Sequence, residues 1–358
     1  MTGQTTSATT MRPGHGDAFT DHMVTMAWTT EQGWHGRRVG PLESLSMHPA
    51  MIGLHYAQVI FEGMKAHRRV DGSVAVFRPD ENARRFRRSA RRLAMPELPE
   101  EDFLAAVDDI VALDQSQLPD DPELSLYLRP LMFATEPNLM LRPSNHYAFL
   151  LMAFVAGGFF GDDTLAPVSV LISREHSRAM PGGTGDVKCA ANYAPSFVGQ
   201  RLAQEAGCQQ VVWLDSGERR WVEEMGGMNL FFVRRNGAAT ELLTPALTGT
   251  LLPGVTRDSL LVLGRRLGHA VREERISVDE WRADCATGRI TEVFACGTAA
   301  VVTPVGKVRD RDGDWTIGDG KPGPVTLALR EALVDIHHGL APDPGGWMRA
   351  VPAAGADR

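Results

Sequence analysis

Apolar residues recur along this chain with two periods, and the switches between them lay out its elements. Ser73-Val74-Ala75-Val76-Phe77-Arg78 is short, apolar and rich in β-branched residues, and reads as a strand. Pro79 directly after it suits the first position of a helix. Ala83, Phe86, Ala90 and Leu93 then return at three- and four-residue spacing, giving that helix one apolar face. Phe103, Val107 and Ile110 repeat the pattern in a second helix. Ser125 to Met132 and Tyr147 to Ala156 are apolar enough to be buried strands. Further strands are predicted over Val168 to Ser173, Gln209 to Leu214, Asn229 to Arg234 and Thr291 to Ala295. Helices are predicted from about Ala194 to Ala206, from Thr256 to a Gly268 stop, and through Val325, Leu329, Leu333 and Ile336. The mixture is an α/β pattern (α+β mixed) without internal repeats.

At 358 residues the chain exceeds the usual size of one hydrophobic core. The abrupt change at Gly157-Gly158-Phe159-Phe160-Gly161-Asp162-Asp163 predicts the boundary, giving a domain over 1–157 and another over 158–358. Met1 to Gly16 is rich in Thr, Ser and Gly and reads as a loose tail, with no secretory apolar segment. Ala341 to Arg358 carries no clear pattern. A hydrophobic content of 43% and a charged content of 23% fit a soluble globular protein. Net charge −7 argues against a broad nucleic-acid surface. The longest apolar run, Tyr147 to Phe160, is too short to span a bilayer. Four widely spaced cysteines without a C-x-x-C pair fit a reducing cytoplasm. The arginines between Arg84 and Arg92 are expected mostly on the solvent side of their helix. The histidines lack ligand spacing, so no metal is expected.

The chemistry gathers around Lys188, in Gly182-Gly183-Thr184-Gly185-Asp186-Val187-Lys188-Cys189-Ala190-Ala191-Asn192-Tyr193. Glycines let backbone approach a ligand closely. A lysine amine forms a Schiff base with a carbonyl cofactor, and a phenol nearby can bond that cofactor's ring oxygen. The combination reads as a site for pyridoxal 5'-phosphate. An acid for the pyridine nitrogen is offered by Glu223-Glu224, with Glu224 preferred because it stands nearer Gly226-Gly227. Its pKa is expected to fall beside a pyridinium. A phosphate cup is offered by Gly254-Val255-Thr256 at a helix start, with Arg78 as a charged fork. Gly297-Thr298-Ala299 is a second glycine turn whose backbone donors could hold an anion.

These runs together resemble the branched-chain amino acid aminotransferases, within the fold-type IV pyridoxal phosphate enzymes. The resemblance extends from Phe19-Thr20-Asp21-His22-Met23 to Gly306. It includes Leu54-His55-Tyr56, Phe61-Glu62-Gly63-Met64-Lys65-Ala66, Val76-Phe77-Arg78-Pro79 and Leu126-Tyr127-Leu128-Arg129-Pro130. It implies a two-domain architecture, a smaller N-terminal domain and a larger C-terminal one bearing the lysine. It implies Lys188 as the catalytic, cofactor-bearing lysine, Tyr193 on the ring oxygen and Glu224 on the ring nitrogen. Arg78, Val255, Thr256 and Thr298 would surround the phosphate. The substrate carboxylate would meet Thr298 and Ala299, with Tyr127 and Arg129 nearby, Arg129 also serving the side chain of glutamate. Phe19, Tyr56, Phe61 and Tyr193 would wall an apolar pocket, some lent across a homodimer interface.

The chain departs from the family pattern in places. Ala190-Ala191 stands where two glycines are usual, so ordinary backbone angles are expected there. His67 stands where Phe or Tyr is common, and Ala300 and Thr303 occupy the places of a redox cysteine pair. The implied reaction moves the amino group of L-leucine, L-isoleucine or L-valine to 2-oxoglutarate, giving branched 2-oxo acids and glutamate. Three alternatives remain open at this level: a transaminase for D-amino acids or amines, an aminodeoxychorismate lyase, and a non-catalytic relative.

Overall fold

The structure is a computed structural model and describes residues 15–157, 159–160, 165–237 and 239–352. The tail before residue 15, positions 158 and 161–164 of the expected boundary, and the last six residues lie outside it. The mixed α/β class expected from the alternation is what the described residues form.

They build two sheets. The first runs in the order Met348–Val351, Val74–Phe77, Met64–Arg68, Ser125–Ala134, His146–Ala156, Phe19–Thr29, Gly33–Pro41, with Val59–Phe61 also on Ser125–Ala134. All its pairings are antiparallel. Helices Pro79–Arg92 and Glu100–Asp114 cover one face, burying Ala83, Phe86, Phe103, Val107 and Ile110 against Leu126, Leu128 and Phe149. That is the face the three- and four-residue spacing required.

In the second sheet, Val222–Met225, Gln210–Leu214, Val168–Ile172, Val301–Arg309, Ile290–Gly297 and Met228–Asn236 pair in that order. Val222–Met225 pairs again with Met228–Asn236, so these strands close on themselves as a barrel. Closure satisfies strand edges that would otherwise be open. Ala239–Thr244 and Ala270–Glu273 extend the sheet beyond the ring, and Val255–Arg266 and Pro324–His338 pack on it through Phe231, Leu260, Leu329 and Leu333.

The chain end does something its sequence did not announce. Met348–Val351 returns to the first sheet and pairs antiparallel with Val74–Phe77. Among the described residues no helix is long and apolar enough to cross a membrane.

Candidate active site

A cavity of about 360 Å³ opens between the two sheets, with the Lys188 loop forming one wall. That loop is held by its own residues. Asn192 donates to the carbonyls of Thr184 (2.7 Å) and Val187 (2.8 Å), while Thr184 Oγ1 donates to Asn192 Oδ1 at 2.7 Å. A Cβ on Gly185 would stand 2.3 Å from the Thr250 carbonyl oxygen, so only glycine fits there. Ala190–Asn192 forms a 3-10 turn, and neither alanine has a positive φ, as the replacement of glycine demanded. The loop leans on the first sheet, where Phe61 N–H donates to the Lys188 carbonyl at 3.1 Å. Lys188 N–H donates to Ser89 Oγ at 3.0 Å.

With its backbone fixed at both faces, Lys188 extends into the cavity and Nζ donates to Tyr193 Oη at 2.9 Å. Phe61 lies beneath, its ring centroid 5.0 Å from Nζ and 4.9 Å from the Tyr193 ring. Glu224 faces the same cavity from the barrel and is 1% exposed. Strand alternation turns Glu223 the other way, where Oε1 accepts from Thr250 Oγ1. Leu252 N–H donates to Glu224 Oε1 at 2.6 Å. Arg178 Nε lies 3.1 Å from Glu224 Oε2, near enough for an ion pair but not aligned as a hydrogen bond.

Burial pushes the Glu224 carboxyl above the usual carboxylate range, against the pull of Arg178 and the Leu252 amide. The expected fall is therefore not found in the protein alone, because its own chain supplies too little positive charge to outweigh desolvation.

The opposite end is a helix start. Val255–Arg266 begins after an extended Gly254, whose added Cβ would come 2.1 Å from Asn229 Oδ1. Val255, Thr256 and Thr298 line the cavity here. A helix start without side-chain caps leaves N–H donors for an anion. Arg78 is not in the lining. It stands behind, paired through Nη1 with Asp258 (2.7 Å) and Ser259 Oγ (2.8 Å) of that helix.

Tyr127, Arg129 and Ala299 join the lining, with the Arg129 guanidinium 5.2 Å from the Phe61 ring centroid and 5.4 Å from that of Tyr127. Phe19 (51% exposed) and Tyr56 (45% exposed) do not; Tyr56 donates to the Leu139 carbonyl instead.

Among the lining groups that escaped sequence reasoning, Arg178 included, two stand out. His15 packs edge-on against Tyr127 and Phe154, and burial with the charges of Lys65 and Arg129 pulls it down to about 4. It stood at the end of the stretch expected to be a loose tail, and at this residue that expectation fails because the imidazole packs on two aromatic rings. Arg85 is buried despite its arginine-rich surroundings and forks onto Glu62, with Nε to Oε1 at 2.7 Å and Nη2 to Oε2 at 2.8 Å. Three- and four-residue spacing from Ala83, Phe86 and Ala90 does not single it out, and its partner Glu62 stands 23 residues away in the chain.

A family model for amino-transferase class IV matches residues 59–308. Over 337 residues the chain is 54% identical to the branched-chain-amino-acid aminotransferase of Mycolicibacterium smegmatis, covering 94% of this chain and 91% of the relative. The chain belongs to the branched-chain amino acid aminotransferases of class IV. Its fold agrees with the Escherichia coli branched-chain amino acid aminotransferase at a TM-score of 0.75 and 28% identity, over 93% of this chain and 100% of that one. The T.th. branched-chain amino acid aminotransferase, solved with pyridoxamine 5'-phosphate, gives 0.72 at 28% identity over 91% and 98%. That protein has also been solved with 4-methylvaleric acid and with N-(5'-phosphopyridoxyl)-L-glutamate. As an aminotransferase of this family, the protein is an enzyme, a transaminase.

Proposed function

We propose that this aminotransferase binds pyridoxal 5'-phosphate in the Lys188 cavity and moves the amino group of L-leucine, L-isoleucine or L-valine to 2-oxoglutarate. One observation carries the reading: Lys188 Nζ and Tyr193 Oη meet at 2.9 Å across a cavity from a buried, under-compensated Glu224. The residues fit the group. An amine and a phenol, a carboxylate short of positive charge, and uncapped helix amides match an aldehyde with its ring oxygen, a pyridine nitrogen and a phosphate. When bound, the cofactor supplies a carbonyl for the amino group and a ring that draws electrons from the substrate's α-carbon.

The chain's own residues do the rest. Lys188 is the catalytic base: its freed amine takes the α-proton and returns it one position along. Tyr193 orients that amine, and the Phe61 ring beneath keeps the path free of water. Glu224 holds a proton at the ring nitrogen. The amides of Val255 and Thr256 and the Thr298 hydroxyl take the phosphate, with Arg78 adding charge from behind the helix.

The substrate carboxylate meets Thr298 and Ala299. Phe61, Tyr127 and Tyr193 offer an apolar wall to a branched side chain, and Arg129 receives the second carboxylate of glutamate. The relative solved with 4-methylvaleric acid and a phosphopyridoxyl-glutamate supports both halves. One methylene is worth only ~1–3 kcal/mol of discrimination, so the three amino acids should be handled alike. Using one site for both halves predicts ping-pong kinetics. Phe19 and Tyr56, exposed here, would complete the site of a second copy in a homodimer. We also keep the division near residues 157 and 158, with Met348–Val351 assigned to the first unit by its pairing.

Borohydride reduction of the holoenzyme and peptide mapping should label Lys188, and Lys188→Ala should abolish turnover of L-leucine with 2-oxoglutarate. A label elsewhere, or full turnover in the variant, refutes the assignment.

A further inference from the structure

We propose that Lys65, His67 and His337 form a binding site for a small monovalent anion of halide size, behind the Thr298–Ala299 turn. A second cavity of about 60 Å³ lies there, with Ala299 in the wall it shares with the Lys188 cavity. It has room for a few water-sized species and is too small for an amino acid.

Its lining is short of negative charge. Lys65 is 7% exposed, and Nζ donates to the Ala299 carbonyl at 3.0 Å. Among the described residues no carboxylate pairs with it, so a buried ammonium rests on one neutral acceptor with two hydrogens to spare. Burial pulls its pKa down to about 8, with Arg330 adding to the fall and Glu123 opposing it. At neutral pH the charge therefore stays.

His67 stacks on His337 with centroids 4.3 Å apart and planes 14° from parallel. Each is 5% exposed, and Nε2 of each has no hydrogen-bond partner. Burial first, then the charges of neighbouring groups including Lys65, keeps both imidazoles neutral. A neutral imidazole keeps one N–H, which the proposal places on Nε2. Buried polar atoms normally find partners, so two orphans beside an unmatched ammonium point to a missing acceptor.

A metal ion would be repelled by the ammonium. Water would satisfy the imidazoles but leave the ammonium without a counter-charge. A compact anion does both. Glu123 lines the same cavity, but its side chain is 47% exposed and its carboxylate lies 3.7 Å from Arg330 Nη2, which also lines it, so Glu123 faces another cation rather than the two imidazoles.

Crystals grown in sodium bromide, measured at the bromine edge, should show an anomalous peak in this cavity against Lys65 Nζ and an imidazole Nε2. In solution, exchanging sodium gluconate for sodium chloride at constant ionic strength should raise Tm saturably, by about 2 °C at tenfold excess over Kd. Lys65→Met should remove that increment. Should Lys65→Met fail to fold, the bromide map of the unaltered protein decides. A cavity holding water without anomalous signal overturns the proposal, as does a chloride effect that never saturates and survives in Lys65→Met.

Discussion

Two carboxylates lie buried beside the same cavity, Glu62 between strands Val59–Phe61 and Met64–Arg68 of the first sheet and Glu224 on the barrel, and their pKa values move in opposite directions. Glu62 is fully buried, and desolvation alone would raise it. Its two oxygens accept from Arg85 Nε, Arg85 Nη2, Asn82 Nδ2 (2.7 Å) and Gly63 N–H (3.1 Å). That set outweighs burial and holds Glu62 below the usual range. Glu224 has one amide at 2.6 Å and one misaligned guanidinium, and burial wins. Burial is the same at both sites; the supply of donors is not. Glu62 is a finished structural pair, whereas Glu224 has fewer donors than burial demands, and in the proposed function a cation from outside the chain makes up the shortfall. On the proposed function, this difference separates a residue that builds the cavity from one that serves its ligand.

The comparison breaks most violently at Arg85. Arg85→Met should strand the Glu62 charge in the interior and cost about 3–5 kcal/mol, read as a lower midpoint in urea unfolding. A loss under about 1 kcal/mol would mean that Glu62 is not held as an ion at all. The Glu62 contribution has a definite sign with pH. Its folded pKa is depressed, so this stability is present above the unfolded value and fades as pH falls through the folded one.

Glu224→Gln should behave in the opposite manner. The amide oxygen can still accept from Leu252 N–H, so stability should change little. Turnover should fall by roughly 10²–10³, the scale for removing one preorganised electrostatic group. Unchanged kcat together with a large loss of stability would reverse the roles assigned to the two carboxylates.

How much of this the sequence carried follows from distance along the chain. Lys188 and Tyr193 share one loop five residues apart, and Asn192 between them ties the loop shut. Glu224 was preferred to Glu223 for standing nearer the Gly226-Gly227 turn, while the strand alternation that turns Glu223 away is visible only in the structure. The helix starts at Pro79 and near Thr256 were visible because proline, spacing and the Gly254 turn are local signals. Arg85 was not, since its partner stands 23 residues back and only the docking of a helix on a strand brings them together. His15 gained its role from Tyr127 and Phe154, far along the chain. Met348–Val351 has no period of its own and becomes a strand because Val74–Phe77 leaves an edge for it. Phe19 and Tyr56, outside the cavity of a single chain, were proposed from family resemblance and still depend on a second copy.

The smallest expected effect is also the most discriminating. In the cofactor-free protein the raised Glu224 pKa means that folding prefers its protonated form. The associated stability is fully present below the unfolded pKa and is lost as pH rises through the folded value. Glu224→Gln cannot titrate and should show no such loss. The difference in unfolding free energy between the two cofactor-free proteins should therefore drift with pH from the ordinary carboxylate range upward, the unaltered chain falling behind. Bound pyridoxal phosphate should cancel or invert that drift, because a pyridinium favours the ionised carboxylate. A pH-independent difference in the cofactor-free pair would mean that Arg178 and Leu252 already neutralise Glu224, and that the contrast with Glu62 is only one of degree.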